Sequence, residues 1–130
     1  MKQMNKSSAL RIFVVENHAD TLYSLRLYLE ELGHTVGTAR NLGEALSGLP
    51  SFDSDVVISD IGLPDGSGWD LLKKARLPGN VVAVAMSGFG MNADSARSMA
   101  AGYRHHLLKP FKTDELDKIL EEAGASVGGP

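Results

Sequence analysis

Short apolar runs alternate with amphipathic stripes along almost the whole chain, and this alternation constrains the fold more than any other feature. The first run is Ile12-Phe13-Val14-Val15, four residues that fit a strand covered on both faces. Leu22, Leu25, Leu29 and Leu32 then recur at steps of three and four, the stripe of a helix. Asp20 is placed to cap that helix and Gly33 to end it. His34 to Ala39 reads as a second strand. Asn41 caps a short helix through Leu42, Ala45, Leu46 and Leu49, with Glu44 as the acid of a capping box and Pro50 as the stop. Val56-Val57-Ile58 is a third strand, and Leu63-Pro64-Asp65-Gly66 is turn chemistry. Ser67 caps a helix carrying Trp69, Leu72 and Ala75, closed by Pro78-Gly79. Val81 to Met86 is the most strand-like run, and Ala93, Ala96 and Ala100 mark a small-residue helix ending at Gly102. Tyr103 to Leu108 is a more polar fifth strand. Thr113 caps a last helix with Leu116, Ile119, Leu120 and Ala123 on one face. Five strand–helix units in strict alternation predict an α/β fold: a parallel sheet, helices on both faces and right-handed crossovers.

The 130 residues are one domain's worth, expected to bury roughly two thirds of the extended surface. The expected limits are a flexible start over 1–9, a folded domain over 10–123 and a flexible tail over 124–130. Ser126-Val127-Gly128-Gly129-Pro130 is read as unable to continue a helix. The chain has no cysteine, which removes disulfides, thiolate metal sites and thiol chemistry. A formal charge of −3 gives no reason to expect direct nucleic-acid binding or an anionic-membrane face. The polar start and the Arg11 break give no secretory signal, so the expectation is a cytoplasmic domain without membrane contact.

In open parallel sheets, ligands bind beyond the carboxyl ends of the strands, and four of the five strands deliver a polar group there. Strand one ends in Glu16-Asn17, strand three in Asp60, strand four in Ser87 and strand five in Lys109-Pro110; strand two ends in Ala39-Arg40. Glu16, Asp60 and the Asn17 amide oxygen are hard donors suited to Mg²⁺. A carboxylate at Asp60 can act as a nucleophile and form an acyl phosphate. Ser87 can donate to a phosphoryl oxygen. Lys109 can pair with that group, or with Asp60 when none is present. Singly, each residue has a plainer reading: Asp60 a cap or loop acid, Glu16 a surface acid, Ser87-Gly88 a turn, Lys109-Pro110 a helix start. The joint arrangement carries the phosphoryl-transfer reading.

From about Arg11 to Glu122 the sequence resembles the receiver domains of two-component response regulators. The resemblance rests on Val14-Val15-Glu16-Asn17, on the stretch Val57 to Gly68 with its Asp60 and Pro64, on Met86-Ser87-Gly88, and on Leu108-Lys109-Pro110-Phe111. It implies a flavodoxin-like, doubly wound sheet of order 2-1-3-4-5, in which the ligand site lies at the topological switch point. It makes Asp60 the phosphoacceptor, Ser87 the switch hydroxyl and Lys109 the family's lysine, with Pro110 after a bond that is often cis. It gives Mg²⁺ the ligands Glu16, Asn17, Asp60 and the Gly62 backbone carbonyl. The expected activity is that of a signalling domain, which catalyses only its own phosphoryl transfer and dephosphorylation.

Two positions depart from the family pattern. Asn17 stands where a metal-binding carboxylate is usual, as in many receivers of hybrid sensor kinases. His106 stands where a Tyr or Phe often turns inward, and an imidazole is smaller and can titrate. The implied partner is a sensor histidine kinase or a histidine phosphotransfer domain, with the chain either a stand-alone regulator or part of a hybrid kinase. A dimer face through the fourth and fifth units, with Arg97, Arg104, His105 and Lys112, is a further implication; a solvated charge cluster is the simpler account. Trp69 reads as packing, and His18 is not counted as a metal ligand. Two rivals remain: a degenerate receiver that binds partners without phosphorylation, and an aspartate-nucleophile phosphatase, whose second acid is missing from Asp60-Ile61-Gly62.

Overall fold

The computed structural model describes residues 9–88 and 95–127. The main sheet is parallel and consists of β1 (Arg11–Val15), β2 (Thr35–Ala39), β3 (Val56–Asp60), β4 (Val82–Ser87) and β5 (His105–Leu108), in the order β2-β1-β3-β4-β5. The helices are α1 (Ala19–Glu31), α2 (Leu42–Phe52), α3 (Gly68–Ala75), α4 (Ser95–Ala101) and α5 (Thr113–Val127). A short antiparallel ladder, Gly62–Leu63 against Gly66–Ser67, joins β3 to α3. The expected α/β doubly wound sheet and its order are those observed.

Alternation along the strands sorts the core into two layers, as the period of two demands. Ile12, Val14, Ile58, Val84 and Met86 pack with Leu22, Leu25, Leu29, Leu116 and Ile119 of α1 and α5. Phe13, Val15 and Val57 pack with Ala45, Leu49 and Leu71 of α2 and α3. Ala83 and Ala85 face Tyr103 and Ile61, with Trp69 and Leu72 beside them. Both faces are covered, so β3 and β4 are buried along their whole length.

Several local expectations need correction. Asp20 does not cap α1; His18 holds the cap position, without a side-chain cap bond, and Asp20 lies in the first turn, where a negative charge favours the helix dipole. Pro50 lies inside α2, which continues to Phe52 and ends at Asp53 in the left-handed region. Pro50 lacks the amide that would donate to the Leu46 carbonyl, but only Ser51 and Phe52 follow it, so little helix remains to be displaced. Helix α3 ends at left-handed Arg76, before Pro78. Strand β5 starts at His105; Tyr103 is instead buried, with its hydroxyl donating to the Gly68 carbonyl at 2.6 Å. Helix α5 runs to Val127, beyond the expected limit at Ala123. Ala123 and Gly124 are buried, and that packing outweighs poor local helix propensity. Ala93 lies outside the described residues.

Other expectations hold. Asn41 accepts from the Glu44 amide at 2.8 Å and Ser67 from the Asp70 amide at 3.1 Å. Asp65 adds a cap from a distance, accepting from the Leu42 and Gly43 amides at 2.7 and 2.9 Å. These two amides hold its carboxyl below the usual carboxylate range. The Pro64-Asp65-Gly66 turn therefore ties the loop after β3 to the start of α2. Among the described residues, no helix is long and apolar enough to cross a membrane.

Candidate functional site

Backbone hydrogen bonds beyond the strand ends fix the rim. The Glu16 amide donates to Ala39 at 3.0 Å, the Ile61 amide to Met86 at 2.8 Å and the Lys109 amide to Ser87 at 2.8 Å. Gly68 closes the approach of α3 to this rim. A Cβ there would stand 2.6 Å from the Asp60 carbonyl oxygen and 3.1 Å from the Ile61 Cα. Only a residue without a side chain lets the start of α3 lie so near the end of β3.

At the centre, Lys109 bridges two buried carboxylates. Its Nζ lies 2.6 Å from Glu16 Oε1 and 3.0 Å from Asp60 Oδ2. Glu16 is 0% exposed and Asp60 5%. Burial raises the Asp60 pKa and the nearby Glu16 charge adds to it, outweighing Lys109. Burial also pushes Glu16 upward, but the hydrogen bonds from Lys109 and His18 prevail and its pKa is lowered. For Lys109, burial favours the neutral amine, yet the two acids hold it charged and raise its pKa. Of the two acids, Glu16 is the one whose charge the site favours, and Asp60 the one whose charge burial and the neighbouring Glu16 oppose.

His18 enters the site, although sequence reasoning left it aside. Its amide and its Nδ1 both lie 2.9 Å from Glu16 Oε2. Glu16, His18 and Asp60 offer ligand atoms within 4.8 Å of one another. The turn from β1 into α1 thus folds back over Glu16, a contact between neighbours that periodicity does not reveal. Asn17 is half-buried, and its carbonyl accepts from Arg40 Nη2 at 3.3 Å. Gly62 is exposed and pairs with Ser67 in the short ladder. The Lys109–Pro110 bond is cis.

The donor set fits a divalent cation. Two carboxylates share one ammonium in a buried pocket, so ionising both leaves a net negative charge that a metal would offset. The oxygens of Glu16 and Asp60 are hard donors; the His18 nitrogen is softer. An apolar groove of about 400 Å³ borders the rim, lined in part by Leu25, Tyr28, Met86, Phe111 and Leu116.

Ser87 and His106 are brought together on the other side of the rim. Ser87 is fully buried, and its Oγ lies 2.9 Å from His106 Nε2. His106 Nδ1 lies 2.8 Å from Ser98 Oγ, which accepts from Trp69 Nε1 at 3.0 Å. The Arg97 guanidinium stacks 3.9 Å from the centre of the Trp69 ring. Trp69 and Ser98 were not expected in a polar chain with the site; a serine on a small-residue helix gives little warning of its partner.

An open parallel sheet with two buried acids, a bridging lysine and a buried hydroxyl at its carboxyl rim places the chain among doubly wound α/β domains whose polar site lies at the strand ends. The model for the response regulator receiver domain matches residues 12–121, and the chain belongs to that family. It is similar to the two-component response regulator PhoP of Pseudomonas aeruginosa, at 31% identity over 85% of this chain and 50% of that protein. It is also similar to the virulence sensor protein BvgS of Bordetella pertussis, at 34% identity over 94% of this chain and 10% of that protein. The chain thus spans half the length of one relative and a tenth of the other. Among solved structures, a receiver domain from Methanospirillum hungatei superposes with a TM-score of 0.81 at 30% identity, covering 91% of this chain and 96% of that one.

Proposed function

We propose that this receiver domain accepts a phosphoryl group from phosphohistidine on Asp60. The observation that carries the reading is the bridge from Lys109 to Asp60 and Glu16 across three strand ends. An Asp60 oxygen forms the new O–P bond while the P–N bond to the donor imidazole breaks, and the imidazole leaves with its electron pair. Lys109 is placed to follow the charge from the carboxylate to the phosphoryl oxygens. Ser87 offers a hydroxyl on the same rim. Gly88 has no side chain, and a Cβ there would meet nothing within 4 Å.

Mg²⁺ is the proposed cation, held by Glu16, Asn17, Asp60 and the Gly62 carbonyl, and when bound it neutralises oxygen charge on the transferring group. With Asn17 supplying an amide in place of a carboxylate, the free domain should bind it weakly. The proposed donor is a histidine kinase or phosphotransfer domain, reaching Asp60 beside the α1–α5 groove. The domain is proposed to work in the cytoplasm, and as a signalling module its turnover is limited to its own phosphorylation and dephosphorylation. Intact mass after incubation with Mg²⁺ and acetyl phosphate tests this. The wild type should gain one phosphoryl group and Asp60→Ala none; equal gain, or none in either, overturns it.

A further inference from the structure

The hydrogen-bond chain from Trp69 to Ser87 begins at a group that can only donate. The indole Nε1–H at one end is a donor only. It is given to Ser98 Oγ at 3.0 Å. Ser98 can then give its own hydrogen to His106 Nδ1, 2.8 Å away. An Nδ1 that accepts belongs to an imidazole protonated on Nε2. That Nε2–H points at Ser87 Oγ, 2.9 Å away. Ser87 then accepts from His106, and its own hydrogen is left for another acceptor. In the opposite direction, Ser87 commits its hydrogen to Nε2 and has none to give. Both serines are fully buried, so water does not readily make up the difference.

We propose that His106 is a positioning residue: Trp69 and Ser98 select its Nε2–H tautomer, which keeps the Ser87 hydrogen available for a phosphoryl oxygen on Asp60. This rests on the phosphoacceptor reading above. It also gives His106 a task that needs two ring nitrogens at fixed places, which the smaller size of imidazole alone does not supply. The indole is the only tryptophan of the chain, so one ring terminates the relay and reports on it.

The tautomer is read directly from long-range proton–nitrogen spectra of the nitrogen-15-labelled chain at pH 8. The chain has four histidines, and the His106→Gln variant assigns the signal. Wild type should show the Nε2–H form. In Ser98→Ala, the Nδ1–H form should become populated, and acetyl-phosphate phosphorylation should slow by about tenfold, the scale of one positioned hydrogen bond. Mg²⁺ affinity should not change. His106→Gln, whose amide can still donate to Ser87, should retain more of the rate than His106→Phe, which fills the space without donating. An Nδ1–H or imidazolium His106 in wild type overturns the proposal. So does a Ser98→Ala rate equal to wild type, or equal loss in His106→Gln and His106→Phe. A wild type that takes up no phosphoryl group overturns the phosphoacceptor reading itself, and because the tautomer is measured without phosphate, the two failures are distinguishable.

Discussion

At the amino end of the sheet, polar groups stitch strands together; at the carboxyl end, they are held in surplus. The Arg11 amide donates to Asp55 at 2.8 Å, and its guanidinium donates to the Phe52 carbonyl at 2.6 Å and stacks 4.4 Å from the Phe52 ring. His34 Nδ1 accepts the Leu10 amide at 3.0 Å. These polar groups are exposed or half-buried and paired mainly with backbone. At the other end, Glu16 and Asp60 are buried together with one lysine. One end uses polarity for cohesion. The other end has a charge imbalance that only the surrounding fold maintains, and that imbalance is what a cation or phosphoryl group can use.

The largest expected effect comes from taking away the shared cation. Lys109→Met should cost about 3 kcal/mol at pH 8, because it removes the ammonium that two buried acids share and leaves Glu16 only its contacts with His18. Urea denaturation of Asp60→Asn with Lys109→Met should recover much of this loss; strict additivity of the two changes would break the comparison. Next is Gly68→Ala, whose added carbon meets backbone at 2.6 Å. Its expected cost is about 2 kcal/mol, with a phosphorylation rate reduced more than the stability loss explains.

Opposite signs at the two ends provide the sharpest contrast. Asp60 has a pKa above the ordinary carboxylate value of 3.8. The folded chain therefore holds a proton that the unfolded chain has released, and stability falls as pH rises from 3.8 toward the folded value. Above that window, the ionised Asp60 destabilises. Asp60→Asn should thus stabilise the domain at pH 7 by about 1 kcal/mol, whereas Arg11→Ala should destabilise it by about 1 kcal/mol. Matched thermal or urea melts decide this; a destabilised Asp60→Asn would remove the claim of surplus charge.

The same contrast explains what could be read before the structure. Five apolar runs and their helix stripes specified the layers, because burial on both faces leaves a periodic trace. The rim residues Glu16, Asp60, Ser87 and Lys109 were legible as strand ends, since the rule for ligands in parallel sheets needs only topology. Contacts made by short polar side chains were not legible. His18 reaches Glu16 through a tight turn, and Ser98 of α4 reaches His106 on β5. Neither has a periodicity. Helix ends failed for a related reason: Pro50 and the residues after Ala123 were judged by local propensity, yet only Ser51 and Phe52 follow Pro50 in α2, and burial of Ala123 and Gly124 carries α5 onward.

The smallest effect concerns His34, at the cohesive end. Its ring is half-buried, and burial lowers its pKa from 6.5. To accept the Leu10 amide, Nδ1 must carry no proton. As pH falls below 6.5, the unfolded chain binds a proton more readily than the folded one. Stability from this contact is therefore fully present above 6.5 and is lost progressively as pH falls toward and through the lower folded value. In His34→Asn, the amide oxygen can take the place of Nδ1 without titrating. Between pH 7.5 and 5, wild type should lose up to about 1 kcal/mol more than this variant. Parallel loss in the two proteins would mean that the Leu10 contact contributes no pH dependence, and that the amino end is held by Arg11 and Asp55 instead.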